Sequence, residues 1–403
     1  MSYMKIPPMD EEANKRSPNT SYDSFADAQT ESEHFNEDLN PDQAKSFVLF
    51  KKLSIAAVST IVVIACVASF STFKSSSTTN VMKSSSPSKI SGGAASTSNP
   101  NFVFILADDV GWNSIGYENY DLSFATPTLT KLAKKGIIMS NYYSQEVCTP
   151  ARAALMTGRY PASIGMQFGE IQPTENLALE ITETLLPEVL KLNGYTTYGI
   201  GKWNLGHYNP QYLPTARGFD YYLGYMDGHN YYWSKRDPGE TSYYDFMYAD
   251  TSCYNLYDGD DMGTYSTTLY MNKALTVIED HDFDSSPMFL YLPVQAAHDP
   301  FADYEDTYPD GLNSSFVGED RYTMVVDNVV GAKRQQYAMS LMMLDDLVME
   351  VHEALEEQDQ LKNTYIIFAS DNGGCYAAGG RNGPLRGSKG SLYEGTSVHV
   401  VFL

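Results

Sequence analysis

Positive charge is in short supply in this chain. Lys and Arg number 27 against 50 Asp and Glu in 403 residues, a formal net charge of −23. That balance argues against a nucleic-acid backbone as partner, because phosphate binding needs clustered Lys and Arg, and any anionic substrate must be held by local cations. Cysteine is scarce too, four residues in all. None of the others lies near Cys148 in the sequence, which argues against a sulfur-rich metal site there. No internal repeat is visible. Apolar material, by contrast, is plentiful: 43% of the chain is hydrophobic and 13% aromatic, enough to bury a large core in one big domain or two.

One stretch is long and apolar enough to span a bilayer. In "KKLSIAAVSTIVVIACVASFSTFK", 21 uncharged residues separate Lys52 from Lys74, which predicts a membrane-anchoring helix over 53–73, with a buried core helix as the alternative. The segment starts too far into the chain for an ordinary cleaved signal peptide. Lys45, Lys51 and Lys52 precede it and Lys74, Lys83 and Lys89 follow, so charge alone does not orient it. Residues 1–50 read as a disordered acidic tail, and 74–99 as a Ser- and Gly-rich linker. The folded domain is expected over 100–403.

Within it, the β-rich runs "FVFILA", "TTYGIG", "MFLYLPV" and "TYIIFAS" alternate with the helical stretches "TLLPEVLKLNG" and "RQQYAMSLMMLDDLVMEVHEALEEQ". Alternation of this kind predicts an α/β fold, a mostly parallel sheet flanked by helices. Ligands of such sheets sit beyond the carboxyl ends of the strands. One run ends in Asp108 and Asp109, another in Asp371 and Asn372. Each pair alone is also a common strand-ending turn; together they offer four hard oxygen donors, suited to Ca²⁺ or Mg²⁺ rather than zinc. Lys202 follows "TTYGIG", His298 follows "MFLYLPV", and Lys389 lies in the glycine-rich "GPLRGSKGSLYEG". Singly, a Lys is usually solvated and a His usually structural. Gathered at one sheet edge, they predict a cation-rich, metal-bearing hollow suited to a tetrahedral oxyanion ester. In "VCTPARAALMTGRYP", Cys148 opens an apolar helix with Arg152 four residues on, a placement that lowers a thiol's pKa and favours a reactive thiol.

The ordered set "ADDVGW", "CTPAR" with "TGRYP", "GKW" with "LG", "SDNGG" and "PLRGSKGSLYEG" resembles the sulfatase family of the alkaline phosphatase superfamily, from about Asn101 onward. "YLPTARGFDYYLGYMDGHNYYW" and "NGGCYAAGGRNGPLRG" are most similar to the arylsulfatase B type, the N-acetylgalactosamine 4-sulfatases. The resemblance implies an alkaline-phosphatase-like large domain and a sulfuric ester hydrolase acting on a sulfated sugar or an aryl sulfate. It implies that formylglycine-generating enzyme oxidises Cys148 to formylglycine, whose hydrated aldehyde is the nucleophile, so that Cys148 does not act as a thiol. By the same resemblance Asp108, Asp109, Cys148, Asp371 and Asn372 bind Ca²⁺, Arg152 steadies the formylglycine, and Lys202 and Lys389 neutralise the sulfate. His298 protonates or hydrogen-bonds the leaving oxygen, Asp371 helps deprotonate the attacking hydroxyl, and a sulfated enzyme then sheds sulfate.

Several positions depart from the family pattern. Ala151 stands where many members have Ser. Asn204, in "GKWNLG", replaces the His taken to accept the proton that expels sulfate; an amide cannot serve as that base, so turnover is expected to slow unless His207 compensates. Thr396 and His399 replace Gly and Arg. These losses leave open a decayed sulfatase that only binds sulfated glycans, whereas the Cys opposes a superfamily phosphatase or phosphodiesterase. The chain ends in "SVHVVFL", where family members continue into a smaller C-terminal domain, which is expected to be missing. Formylglycine formation and the sequon at Asn313 require translocation. They predict a single-pass type II membrane protein with its catalytic domain in the secretory-pathway lumen (Golgi or lysosome) or outside the cell, and an unused sequon at Asn19. Cys253 and Cys375 are candidates for a disulfide there, while Cys66 lies in the span. The aromatics of "DYYLGYMDGHNYYW" are read either as core or as a sugar-binding wall.

Overall fold

Four apolar runs of the sequence become neighbouring parallel strands, and their order in space decides which loops meet. The computed structural model describes residues 99–402, apart from 119–120, 240–242, 303–310 and 398–400. The acidic tail, the anchor, nearly all of the linker, Cys66, Asn19 and His399 lie outside the described residues. Among the described residues, no helix is long and apolar enough to cross a membrane.

The strands are β1 (Asn101–Ala107), β2 (Thr196–Lys202), β3 (Tyr221–Tyr225), β4 (Met247–Asp250), β5 (Tyr254–Leu256), β6 (Met288–Pro293), β7 (Thr364–Ser370) and β8 (Val401–Phe402). They form one sheet in the order β5-β4-β3-β2-β6-β1-β7-β8. The five central strands are parallel, and β4, β5 and β8 are added antiparallel at the edges. β6 is buried along its whole length, which is why its sequence is an unbroken apolar run rather than an alternation. The helices are α1 (Pro127–Lys135), α2 (Cys148–Thr157), α3 (Leu186–Leu192), α4 (Ser266–Asp280), α5 (Ser314–Val317), α6 (Glu319–Asn328), α7 (Ala332–Glu357) and α8 (Glu394–Ser397).

Period-two alternation sends successive side chains to opposite faces of the sheet. Val103 and Ile105 of β1 and Leu290 and Leu292 of β6 join Leu129 of α1, Leu269 of α4 and Leu341 of α7 in one core. Leu106, Phe289 and Tyr291 join Ala153 and Met156 of α2 in the other. The expected α/β layering is therefore observed. β2 and β3 approach unusually closely where Gly201 pairs with Gly224. A Cβ on Gly224, whose φ is +156°, would lie 1.8 Å from the Gly201 carbonyl oxygen, so only glycine fits beside the strand end that carries Lys202.

Two open expectations are decided here. Tyr222, Tyr225, Tyr232 and Trp233 are buried in the core, so these aromatics form no exposed sugar wall. Cys148, Cys253 and Cys375 are all free thiols; the candidate disulfide is not formed, with Cys253 exposed and Cys375 half-buried. Asn313 caps α5 by accepting a hydrogen bond from the Ser315 N–H.

Candidate active site

Because β1, β2, β6 and β7 run in the same direction, their carboxyl ends open on one edge of the sheet. Backbone hydrogen bonds continue the ladder past the strands: Asp108 N–H donates to the Ala296 carbonyl at 3.0 Å, and Asp371 N–H donates to the Ala107 carbonyl at 3.0 Å. Asp108 and Asp371 are thus pinned side by side. Asp109 follows with a left-handed backbone, φ 57°, a conformation Asp tolerates better than most residues.

α2 enters this edge with Cys148 as its first residue. Pro150 sits in the first turn, where a missing N–H costs no helical hydrogen bond, and Gly158 closes the helix in the left-handed conformation, φ 64°. Arg152, one turn after Cys148, lies on the same face. Cys148, Arg152 and Lys202 are each 0% exposed.

The charged groups interlock. Lys202 Nζ is 2.7 Å from Asp108 Oδ2, Arg152 Nη2 is 2.7 Å from Asp371 Oδ2 and 3.4 Å from Asp108 Oδ2, and Cys148 Sγ is 3.5 Å from Asp108 Oδ1. Lys389 Nζ lies 3.0 Å from Asp109 Oδ1 and donates to His298 Nε2 at 2.8 Å. His298 Nδ1 is hydrogen-bonded to the Asp299 carbonyl, which assigns its proton to Nδ1 and leaves Nε2 as the acceptor. All nine residues singled out in the sequence, Asp108, Asp109, Cys148, Arg152, Lys202, His298, Asp371, Asn372 and Lys389, are brought into this one linked cluster. His207 is not; it faces Asp227 Oδ1 at 3.6 Å.

Burial and pairing shape the electrostatics. Burial works to raise the Asp108 carboxyl, but Lys202, His298 and Arg152 hold it well below the usual range. Asp371 goes the other way, raised by burial and by the charge of Asp108 despite Arg152. The cations Lys202 and Lys389 are held protonated, burial being outweighed by Asp108 for the first and Asp109 for the second. Cys148 corrects the expectation from its sequence position. Its thiol is pushed up, not down, by burial and then by Asp108 and Asp371, which outweigh Lys202 and Lys389; Arg152 is paired with those carboxylates.

Oxygen donors for a cation are present. Ligand atoms of Asp108, Asp109, Cys148 and His298 lie within 4.8 Å of one another. The amide of Asn372 donates to Asp109 Oδ1, while its own Oδ1 is buried with no hydrogen-bond partner among the described residues. A buried acceptor left unsatisfied is costly, and a divalent cation among Asp108, Asp109, Asp371 and Asn372 would satisfy it with the hard oxygen ligands such ions prefer.

Two further residues border the cluster. Asn204, also left-handed at φ 53°, is buried and accepts a 3.0 Å hydrogen bond from Thr149 Oγ1. Glu170 was not apparent in the sequence, where it is one glutamate in an aperiodic loop. Its Oε1 is 3.6 Å from Lys389 Nζ. Burial would raise its carboxyl, but Lys389, Lys202 and His298 outweigh that and hold it at about 2.

Comparison with known proteins adds an independent observation. A family model described as Sulfatase matches residues 100–403. Arylsulfatase J of Mus musculus is 37% identical over 313 residues, covering 77% of this chain and 49% of the relative. N-acetylgalactosamine-6-sulfatase of Rattus norvegicus is 32% identical over 313 residues, covering 73% and 55%, and arylsulfatase A of Homo sapiens 30% over 331 residues, covering 76% and 59%. The chain spans about half the length of these curated relatives, and the three do not single out the 4-sulfatase type. Among solved structures, Ps i-CgsB in complex with k-i-k-neocarrahexaose superposes with TM-score 0.63 at 29% identity, covering 75% of this chain and 65% of that one. A sulfatase from Pseudoalteromonas sp. superposes with TM-score 0.60 at 22% identity, over 75% of this chain and 62% of that one, a likeness of fold.

Proposed function

Since the chain belongs to the sulfatase family, we propose that it hydrolyses sulfate esters, of an aryl alcohol or of a sugar, at the cluster around Cys148. The single observation that supports this most is the convergence of two buried cations, Arg152 and Lys202, and the partly buried Lys389 with four hard-oxygen groups at the first residue of a helix. A helix N-terminus and buried cations together favour a tetrahedral oxyanion.

Asp108, Asp109, Asp371 and Asn372 are the residues that would hold a divalent cation, for which we propose calcium. When present, that ion and the formylglycine form of Cys148 supply a Lewis acid and a nucleophilic oxygen. Lys202 and Lys389 bind the sulfate oxygens and, being fixed in place by Asp108 and Asp109, meet the transition-state charge without reorganising. Arg152, anchored to Asp371, orients the first turn of α2. His298, with Nδ1 turned to the Asp299 carbonyl, presents Nε2 towards Lys389; in the imidazolium form, with Nε2 also protonated, it hydrogen-bonds the leaving oxygen or delivers that proton to it. Conversion of Cys148 requires the domain to work in the secretory-pathway lumen or outside the cell, and formylglycine-generating enzyme is the partner it implies. Sulfated amino sugars, the class named by the N-acetylgalactosamine-6-sulfatase relatives, are the proposed natural substrates.

One observation favours a second reading, a non-hydrolytic binder of sulfated glycans: Asn204 is buried and hydrogen-bonded beside the cluster, where it has no basic nitrogen to offer. A single experiment separates the two. Full-length protein from a host that converts a control sulfatase is assayed with 4-nitrophenyl sulfate and a sulfated oligosaccharide, and its peptide 136–152 is weighed. Nitrophenol release, an aldehyde at Cys148, and loss of release in Cys148→Ala are expected. Binding of the oligosaccharide with no release at all supports the binder, and release that persists in Cys148→Ala refutes the assigned site.

A further inference from the structure

Lys389 is held from two sides. Asp109 Oδ1 lies 3.0 Å from its ammonium, and Glu170 Oε1 lies 3.6 Å away across the hollow. Glu170 differs from the other carboxylates of the cluster. Asp108 pairs with Lys202 at 2.7 Å, Asp371 with Arg152 at 2.7 Å, and Asp109 accepts from Asn372; Glu170 Oε1 is buried with no hydrogen-bond partner among the described residues. On its other side is Gly228, at which a Cβ would sit 3.4 Å from Glu170 Oε2 and 3.6 Å from the Asn204 amide nitrogen. A carboxylate therefore stands among the cations that the proposed function assigns to an anion.

The charges say what such a group does. Arg152, Lys202 and Lys389 are matched one for one by Asp108, Asp109 and Asp371, so Glu170 is the surplus negative charge. With a divalent cation on the aspartate cluster, the formal charge of the hollow is +1; without Glu170 it would be +2. A sulfate monoester carries a single negative charge, whereas inorganic sulfate carries two. We propose that Glu170 tunes the hollow to singly charged oxyanion esters and against doubly charged oxyanions, and so favours departure of sulfate once the ester is cleaved. The identity of the monoanion rests on sulfatase chemistry at this site; the charge selection itself rests on Glu170 alone.

Calorimetric titration of the full-length, calcium-loaded protein with sodium sulfate and with sodium methyl sulfate tests this directly. Wild type is expected to bind methyl sulfate at least as tightly as sulfate. Across roughly 10 Å at the effective dielectric of a protein site, one unit of charge is worth about tenfold in affinity per unit of ligand charge, so Glu170→Gln should shift the ratio of the two affinities about tenfold towards sulfate. Glu170→Asp, which keeps the charge, should leave that ratio near wild type. An unchanged ratio in Glu170→Gln overturns the proposal, as does a wild type that prefers sulfate, whether or not the variants fold. Failure to cleave 4-nitrophenyl sulfate while the ratio still shifts in Glu170→Gln sinks the hydrolytic function and leaves charge selection standing.

Discussion

Lys202→Met removes the cation from a pair whose geometry sets the size of the effect. Lys202 Nζ and Asp108 Oδ2 are 2.7 Å apart with both side chains fully buried, so the substitution strands a carboxylate away from water. Breaking a buried pair from one side costs about 3–5 kcal/mol. Arg152 remains 3.4 Å from the same oxygen, which places the expected loss at the low end, about 3 kcal/mol. For a domain of this size each kcal/mol moves the melting temperature by about 2 °C, so scanning calorimetry should register a fall of about 6 °C. The double variant Lys202→Met with Asp108→Asn removes both charges and should recover at least half of that loss, since no uncompensated charge stays buried. Hydrolysis of 4-nitrophenyl sulfate should fall by about 10²–10³ in the single variant, the cost of losing one preorganised charge-stabilising group. A melting temperature within about 1 °C of wild type, or a double variant no better than the single, would refute the physical account of this pair.

Asn204→His restores an imidazole beside Thr149 and should raise steady-state turnover by up to about 10² if loss of a base limits sulfate release; stopped-flow traces should change from a burst with slow turnover to a steady rate, and identical traces would dismiss Asn204 as the bottleneck. His281, at the foot of α4, accepts from Tyr198 Oη at 3.0 Å and donates to the Ser286 carbonyl at 2.9 Å, and burial lowers its pKa below 6.5. The neutral form is the folded one, so its stabilisation is complete above about pH 6.5 and is lost as pH falls through the lowered folded value. Urea unfolding should show wild type losing more stability between about pH 7 and about pH 5 than His281→Gln does, and parallel losses would count against this assignment.

Much of the fold was legible in the sequence because the central strands are wholly or mostly buried, β6 along its whole length and β1 and β7 most deeply at their carboxyl ends. β1, β6 and β7 appear as unbroken apolar runs, and a polar residue directly after such a run must lie at the sheet edge. Asp108 and Asp371 were found in that way, His298 a few residues beyond its run, and Lys202 as the last residue of β2. β3, β4 and β5 escaped notice. They are short, each contains tyrosine, and Gly224, Asp250 and Asn255 break up their apolar residues, so neither a period of two nor an apolar run marks them; β2 and the sheet edge recruit them by hydrogen bonding.

Glu170 and the state of Cys148 were illegible for a different reason. The pKa of a buried group depends on which charges surround it in space, and sequence spacing placed only Arg152 near the thiol. In three dimensions burial raises the thiol, and Asp108 and Asp371, drawn from strands far apart in the chain, pair with that arginine and raise it further. The α/β layering, the strand ends and the chemical types gathered there follow from residue order, because burial and the right-handed parallel crossover leave a chain of this pattern few alternatives. Which carboxylate pairs with which cation, that Asn372 Oδ1 has no hydrogen-bond partner among the described residues, and that a surplus glutamate faces Lys389 follow from the folded arrangement alone, since those outcomes depend on distances of a few ångströms between segments that share no local pattern.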